Sequence, residues 1–288
     1  MRLFKNFKRK APAEVALHIL VSAIFMVVAL SYIYILVWTI LAGVRTNTEI
    51  VMKPFGLPTT WHWTNYLDVF RLLEVNDNTF LNMLFNSVWF SVVGVFIMVF
   101  TTVTFAYTCS KYKFPGSSLP YVIVLIMISL PIYGNGGAVY KMYHSLGLID
   151  NYAQVIAAAS GFNIMFLYFT AYFKNLSWTY AEAAMMDGAD DFQIYFKVML
   201  PQAKPIFGAL FLTNWITNWN TYESALIYLP QLPTLPVGIY QFNTEMIYQA
   251  RLDILFAACV VISIPAIVLF IVFNKMITTN VSVGGIKG

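Results

Sequence analysis

The chain has 288 residues, 59% of them apolar and only 10% charged, with a mean hydropathy of +0.70. Seventeen basic and 13 acidic residues leave a net charge of +4, too few charges to cover a water-soluble fold of this size. A disordered chain, a disulfide scaffold and an ordinary cytosolic enzyme are excluded, the scattered basic residues form no stripe suited to nucleic acid, and a multispanning all-α membrane protein remains.

Residues 1–15 form a basic N-terminal segment with Arg2, Lys5, Lys8, Arg9 and Lys10. Six apolar stretches follow, each near the ~20 residues that a spanning helix needs. The first, about Ala16 to Leu41, exceeds the core of a signal peptide and reads as an uncleaved anchor. The second runs from Leu84 to Tyr107 and the third from Leu119 to Tyr133. The third is short, carries Pro131 and enters Gly134-Asn135-Gly136-Gly137, so a broken or re-entrant end is expected. The fourth covers Tyr152 to Phe173, the fifth Ile206 to Tyr228 and the sixth Ile254 to Phe273. With the N-terminus inside, segments 1–15, 108–118, 174–205 and 274–288 carry 12 Lys and Arg, and the outer loops carry five. That asymmetry predicts six spans with both termini cytoplasmic. Cys109 and Cys259 lie at or inside apolar stretches and are expected as free thiols.

The spans hold almost no ionisable groups. His18 stands at the entry of the first and Glu223 near the outer end of the fifth. A proton-coupled carrier places carboxylates or histidines at mid-membrane, and a voltage sensor needs an arginine ladder; neither pattern occurs. The chain also lacks G-x-x-x-x-G-K-[ST], H-E-x-x-H, G-x-S-x-G and C-x-x-C motifs, so it does not bind ATP through a phosphate-cradling loop, and energy for active work has to come from elsewhere. His18, His62 and His144 lie in different regions, so no metal site is expected. His62 sits between Trp61 and Trp63, an interfacial aromatic patch.

Segment 174–205 is unlike the rest. Thr179 and Glu182 have capping-box spacing, and Ala181, Ala183, Ala184, Met185 and Met186 favour a short helix. Gly188 suits its C-terminal cap, and Asp190 or Asp191 can cap a second helix. The apolar face of that helix would be Phe192, Tyr195, Phe196 and Met199, with Pro201 as its stop. A compact helix–turn–helix results, with small residues and two adaptable methionines suited to a partner's groove. A helix lying on the membrane surface, or simply an orderly loop, is the alternative.

The pattern Glu182-Ala183-Ala184, Gly188, Val198 and Leu200-Pro201 resembles the EAA loop of bacterial ABC importer permeases, with valine where the family usually has isoleucine. Further motifs are similar to the carbohydrate-uptake branch, specifically the second permease of maltose-type systems. They are Asn86-Ser87, Phe114-Pro115-Gly116, Leu146-Gly147-Leu148-Ile149-Asp150-Asn151, Trp219-Asn220 and the closing Gly284-Gly285-Ile286-Lys287-Gly288. The resemblance runs from about Trp38 to the end. It implies a type I importer transmembrane domain over 16–288, in a bacterial cell membrane. It also implies a second, different permease, a cytoplasmic ATPase dimer that binds ATP and Mg, and an external solute-binding protein. This chain would bind no cofactor of its own. Glu182, Ala183, Ala184, Asp187, Gly188 and Ala189 would couple to the ATPase.

A saccharide is held by aromatic stacking and by amide and hydroxyl hydrogen bonds. The fifth stretch offers Asn214, Trp215, Asn218, Trp219, Asn220, Tyr222 and Glu223, with Tyr133, Asn135 and Tyr140 as secondary candidates. Helix–helix hydrogen bonding is the competing explanation for these groups. The outer segment 229–253, with Pro230, Pro233 and Pro236, resembles a loop that engages the binding protein. Import of a non-sugar solute (polyamine, amino acid or phosphate) and a membrane-embedded enzyme using Asp187, Asp190 and Asp191 are the competing functions.

Overall fold

A computed structural model describes residues 12–130, 134–245 and 251–280. The basic start at 2–10, Tyr133 and the closing 284–288 segment lie outside the described residues. The described residues are mostly helical, joined by turns and loops, with one isolated antiparallel bridge between Val75 and Asn78. They fall into two compact units, Met1–Val69 with Met246–Val261 and Phe70–Glu245 with Ile262–Gly288.

In the first unit, α1 (Pro12–Gly43) is apolar all round, and its side chains are exposed over most of its length. A helix of this kind is suited to lipid, where its backbone groups satisfy one another. It ends in a turn organised by Arg45, which is 1% exposed. The guanidinium donates to the carbonyls of Glu49, Lys53 and Pro54. Thr46 and Glu49 then form a reciprocal capping box that opens α2 (Asn47–Met52). The helix α3 (Thr64–Leu72) follows. Near its start, Tyr66 Oη donates to the Ile40 carbonyl at 3.0 Å. A Cβ at Gly43 would stand 2.8 Å from that hydroxyl and 3.1 Å from Ala257 Cα. Gly43→Ala is therefore expected to cost about 2 kcal/mol through overpacking, read as a lowered unfolding temperature in detergent.

The second unit is built on α4 (Phe80–Lys111), a 32-residue helix that passes through a π turn at Trp89–Val93. It continues with α5 (Leu119–Ser129), α6 (Gly136–Ser145), α7 (Ala153–Ala157) and α8 (Ile164–Asn175). Then come α9 (Thr179–Met186), α10 (residues 191–220), α11 (Glu223–Tyr228) and α12 (Leu235–Glu245). The last helix is α13 (Leu252–Asn280). Helix α4 packs along α8 and α10, and Val99, Val103, Phe166, Phe169 and Phe173 are fully buried.

Among the described residues, three helices are long and apolar enough to cross a bilayer: Glu14–Gly43, Phe80–Lys111 and Leu252–Phe273. They match the first, second and sixth expected stretches. The third, fourth and fifth depart from single spanning helices. Helix α5 has only 11 residues, about 16 Å against a hydrocarbon core of about 30 Å. The fourth stretch is two helices, and Asn163 fixes the break. Its Oδ1 accepts from the Met165 N–H, and its Nδ2 donates to Ser160 O and Thr102 Oγ1. Side-chain bonds here replace the helical bonds that the break removes. The fifth stretch ends at Asn220, turns through an extended Thr221 and resumes as α11.

Two further expectations are corrected. Pro201 does not stop its helix; residues 191–220 run on through a π turn at Ile194–Met199. A π turn shifts bonding to i→i−5, as in Leu200 N–H to Tyr195 O. The backbone pairing already changes where proline cannot donate, and Gln202 Nε2 serves the Val198 carbonyl at 3.2 Å. Segment 229–253, expected as an outer loop, is also not all loop. Pro236 stands in the first turn of α12, where its missing N–H is harmless.

Candidate functional site

Segment 174–205 forms α9, the turn after it and the start of α10. The expected capping box is absent. Trp178 occupies the N-cap without a side-chain bond, and Thr179 is already helical. Its hydroxyl accepts from Ser177 Oγ at 2.9 Å instead. The Glu182 carboxylate is exposed and has no hydrogen-bond partner among the described residues. At the other end the expectation holds. Gly188 has φ +84°, its N–H donates to Met185 O, and the Ala189 N–H donates to Ala184 O, both at 3.0 Å. That double bond pattern is a Schellman closure, and it folds the chain back sharply. Asp190 caps α10 by accepting from the Gln193 N–H at 2.7 Å.

The π turn also changes which side chains face inward. Ile194, Tyr195 and Met199 are buried, whereas Phe192 and Phe196 turn outward. The expected face of Phe192, Tyr195, Phe196 and Met199 is thus corrected, because a 3.6-residue period does not apply across i→i−5 winding. Outside stand Met186 at 88% exposure, Phe192 at 77%, and Tyr180, Met185 and Phe196. The tip is therefore an apolar patch among carboxylates.

Behind the tip, the element is fastened to α4. Tyr195 Oη and Thr104 Oγ1 share a hydrogen bond of 2.6 Å. Tyr112 Oη donates to Asp191 Oδ1 at 2.8 Å, and Lys111 Nζ donates to Leu176 O. Trp178 sits edge-on to Tyr112, and Ala181 is fully buried. Burial, then neighbouring Tyr107 and the Asp191 carboxylate, raise the Tyr112 pKa well above its ordinary range. The Tyr112 donor is thus retained at neutral pH.

The polar residues of the fifth stretch divide by face. Trp215 and Trp219 are 1% and 2% exposed and lie 5.2 Å apart. Trp219 Nε1 donates to Ile262 O, and Trp215 Nε1 has no partner among the described residues. Both rings are packed against protein. Asn214, Asn218 and Asn220 each donate to the carbonyl four residues back. Tyr222 stacks on Tyr240 at 4.6 Å, and Glu223 is exposed at the start of α11. Asn135 is exposed at the N-cap of α6 and makes no capping bond. Asn218 joins Gln154, Ser224, Tyr143 and Tyr228 around a cavity of about 200 Å³. Gln154 is 3% exposed, and its Oε1 has no partner among the described residues. Sequence reading missed Gln154, although a lone amide inside an apolar run was the signal.

A second group missed at first reading surrounds residues 228–235. Asn76 and Asn78 donate to the carbonyls of Pro230 and Gln231. Asn86 Nδ2 donates to Pro233 O while its Oδ1 accepts from Tyr152 Oη. Ser87 Oγ accepts from the Leu235 N–H, and Asp150 Oδ1 accepts from the Gln231 N–H. The Asn86-Ser87 and Asp150 motifs thus hold one proline-rich segment. Asn86→Ala leaves Pro233 O and Tyr152 Oη unpaired, costing about 1–3 kcal/mol. Limited proteolysis within 228–236 is expected to quicken about tenfold.

Residues 83–283 match the family described as "Binding-protein-dependent transport system inner membrane component". The chain belongs to that family. It is 26% identical over 285 residues to the arabinooligosaccharides transport system permease protein AraQ of Bacillus subtilis, covering 97% of this chain and 99% of AraQ. It is 29% identical to the diacetylchitobiose uptake system permease protein NgcG of Streptomyces coelicolor, covering 96% and 89%. Its fold matches a chain of a bacterial ABC transporter involved in alginate import, with a TM-score of 0.77 at 22% identity, covering 92% of this chain and 98% of that one.

Proposed function

We propose that this chain is one of two membrane subunits of an ATP-driven importer for a sugar or oligosaccharide. An external binding protein delivers the solute, a second permease completes the path, and a separate ATPase dimer holds ATP and Mg. The carrying observation is the α9 tip, which is apolar and exposed outside and bonded to α4 behind. An element with that construction transmits force, because its partner cannot move it without moving the span. Glu182, free of a capping role, is available to a basic group on the ATPase. Ala183, Ala184, Asp187, Gly188 and Ala189 form the turn that presents it.

Six crossings with both termini inside accommodate the interrupted stretches. Helices α7 and α8 together form the fourth crossing, and α10 with α11 the fifth. Breaks in crossing segments are tolerated where they line a wet cavity. Asn218, Gln154 and Ser224 supply amide and hydroxyl groups for a solute, with Asn214, Asn220, Tyr222, Glu223, Tyr133 and Asn135 nearby in sequence or on the same segments. The relatives' saccharide substrates support the solute class. Purification with accompanying subunits, then a screen of saccharides and amino acids with the binding protein for stimulated ATP hydrolysis, tests this reading. Stimulation by a saccharide is expected. Stimulation by amino acids alone would replace the solute class.

A further inference from the structure

A second cavity, of about 330 Å³, lies where the end of α4, the 112–118 turn, the start of α5 and the last turns of α8 meet. Val122 and Phe166 line its apolar side. Lys113 and Lys174 bring two positive charges, and no carboxylate lines it among the described residues. Lys174 Nζ is held 5.1 Å above the Tyr121 ring, which positions the ammonium without neutralising it. The N-terminal end of α5 adds the positive end of a helix dipole.

Two hydroxyls here are unexplained by the fold. Thr170 is 3% exposed, and its Oγ1 has no hydrogen-bond partner among the described residues; Ser110 is half-buried, and its buried Oγ likewise has none. A buried unpaired donor costs about 1–3 kcal/mol unless something accepts from it. Two cations, two unpaired hydroxyl donors, a helix N-terminus and an apolar wall share one chemical complement. It is an oxyanion, fully ionised and rich in acceptors, attached to or accompanied by apolar matter.

We infer that this cavity binds a phosphate group, supplied by the headgroup of an anionic phospholipid or by a free phosphate ester. Basic pockets between membrane helices take lipid headgroups in this way. The site adjoins Lys174, where the 174–205 segment leaves α8. Occupancy would therefore tie the root of the coupling element to the membrane surface. The inner-leaflet assignment rests on the proposed topology. Retention of phosphate does not, so a reversed topology would leave the binding result standing.

The test uses the chain purified from membranes with whatever subunits accompany it. It is exchanged into nanodiscs of phosphatidylcholine alone or with phosphatidylglycerol. Native mass spectrometry counts retained phosphatidylglycerol, and inorganic phosphate and glycerol phosphate are titrated separately in the phosphatidylcholine discs. Wild type is expected to retain phosphatidylglycerol. K113Q/K174Q is expected to bind it about thirtyfold more weakly, and Thr170→Val about fivefold more weakly. K113R/K174R keeps the charges and is expected to keep binding, which separates loss of the site from loss of fold. Binding of inorganic phosphate or glycerol phosphate without phosphatidylglycerol retention would assign the free anion as the source. Equal retention by wild type and K113Q/K174Q, or no phosphate ligand bound by wild type, would overturn the inference.

Discussion

Gly188→Pro is expected to abolish most transport while leaving the chain in the membrane. Gly188 has φ +84°, and proline is confined near −65°. The substitution also removes the N–H that donates to Met185 O. Both halves of the Schellman closure fail, at a cost of about 3 kcal/mol or more. The tip then no longer presents Met186 and Phe192 together. Solute uptake is expected to fall about a hundredfold. Gly188→Ala gives the graded control: it keeps the N–H and pays only the left-handed backbone cost of about 1–2 kcal/mol, so uptake falls about tenfold. Nothing in the structure lies within 4 Å of a Cβ at this position, so the two variants differ through backbone conformation and the lost N–H rather than through a side-chain clash. Uptake by intact cells, with membrane abundance measured alongside, reads the difference. Normal uptake by the proline variant would remove the coupling role from this turn.

Met186→Asp is expected to separate docking from folding. The side chain is 88% exposed, and exposed substitutions rarely change stability by more than about 0.5 kcal/mol. At the centre of a docking patch, a charge in place of an apolar anchor costs about 2 kcal/mol or more. Capture of the ATPase is therefore expected to weaken about thirtyfold, with unchanged unfolding temperature. Phe192→Ala removes the second exposed anchor and is expected to act in the same direction. Titration of purified ATPase against the chain in detergent measures both variants.

Local chemistry carried most of the α9 element and its turn. Gly188 and Asp190 act as the sequence predicts because each serves backbone groups within a few residues. Thr179 does not, because Ser177 provides a nearer hydroxyl and Trp178 takes the N-cap. The faces of α10 were illegible because a π turn changes the period over residues 194–199. Hydropathy located the first, second and sixth apolar stretches as long helices, where apolar composition and helical continuity coincide. It did not reveal the breaks at 158–163 and 221–222. An apolar average is blind to Asn163, whose partners include Thr102, 61 positions away. The clamp around 228–235 was visible only as motifs. Its logic needs Asn86 and Pro233, 147 positions apart in sequence, to be neighbours in space.

Site-directed cross-linking from position 186 tests the coupling claim most directly. Cys109 and Cys259 are free thiols, so Met186→Cys is placed in a background with both changed to serine. In membranes containing the assembled transporter, the new thiol is expected to cross-link to the ATPase, to change its yield when ATP binds, and to react with impermeant reagents only from the cytoplasmic side. Labelling from the outer side, or an adduct confined to lipid or to the external binding protein, would contradict it.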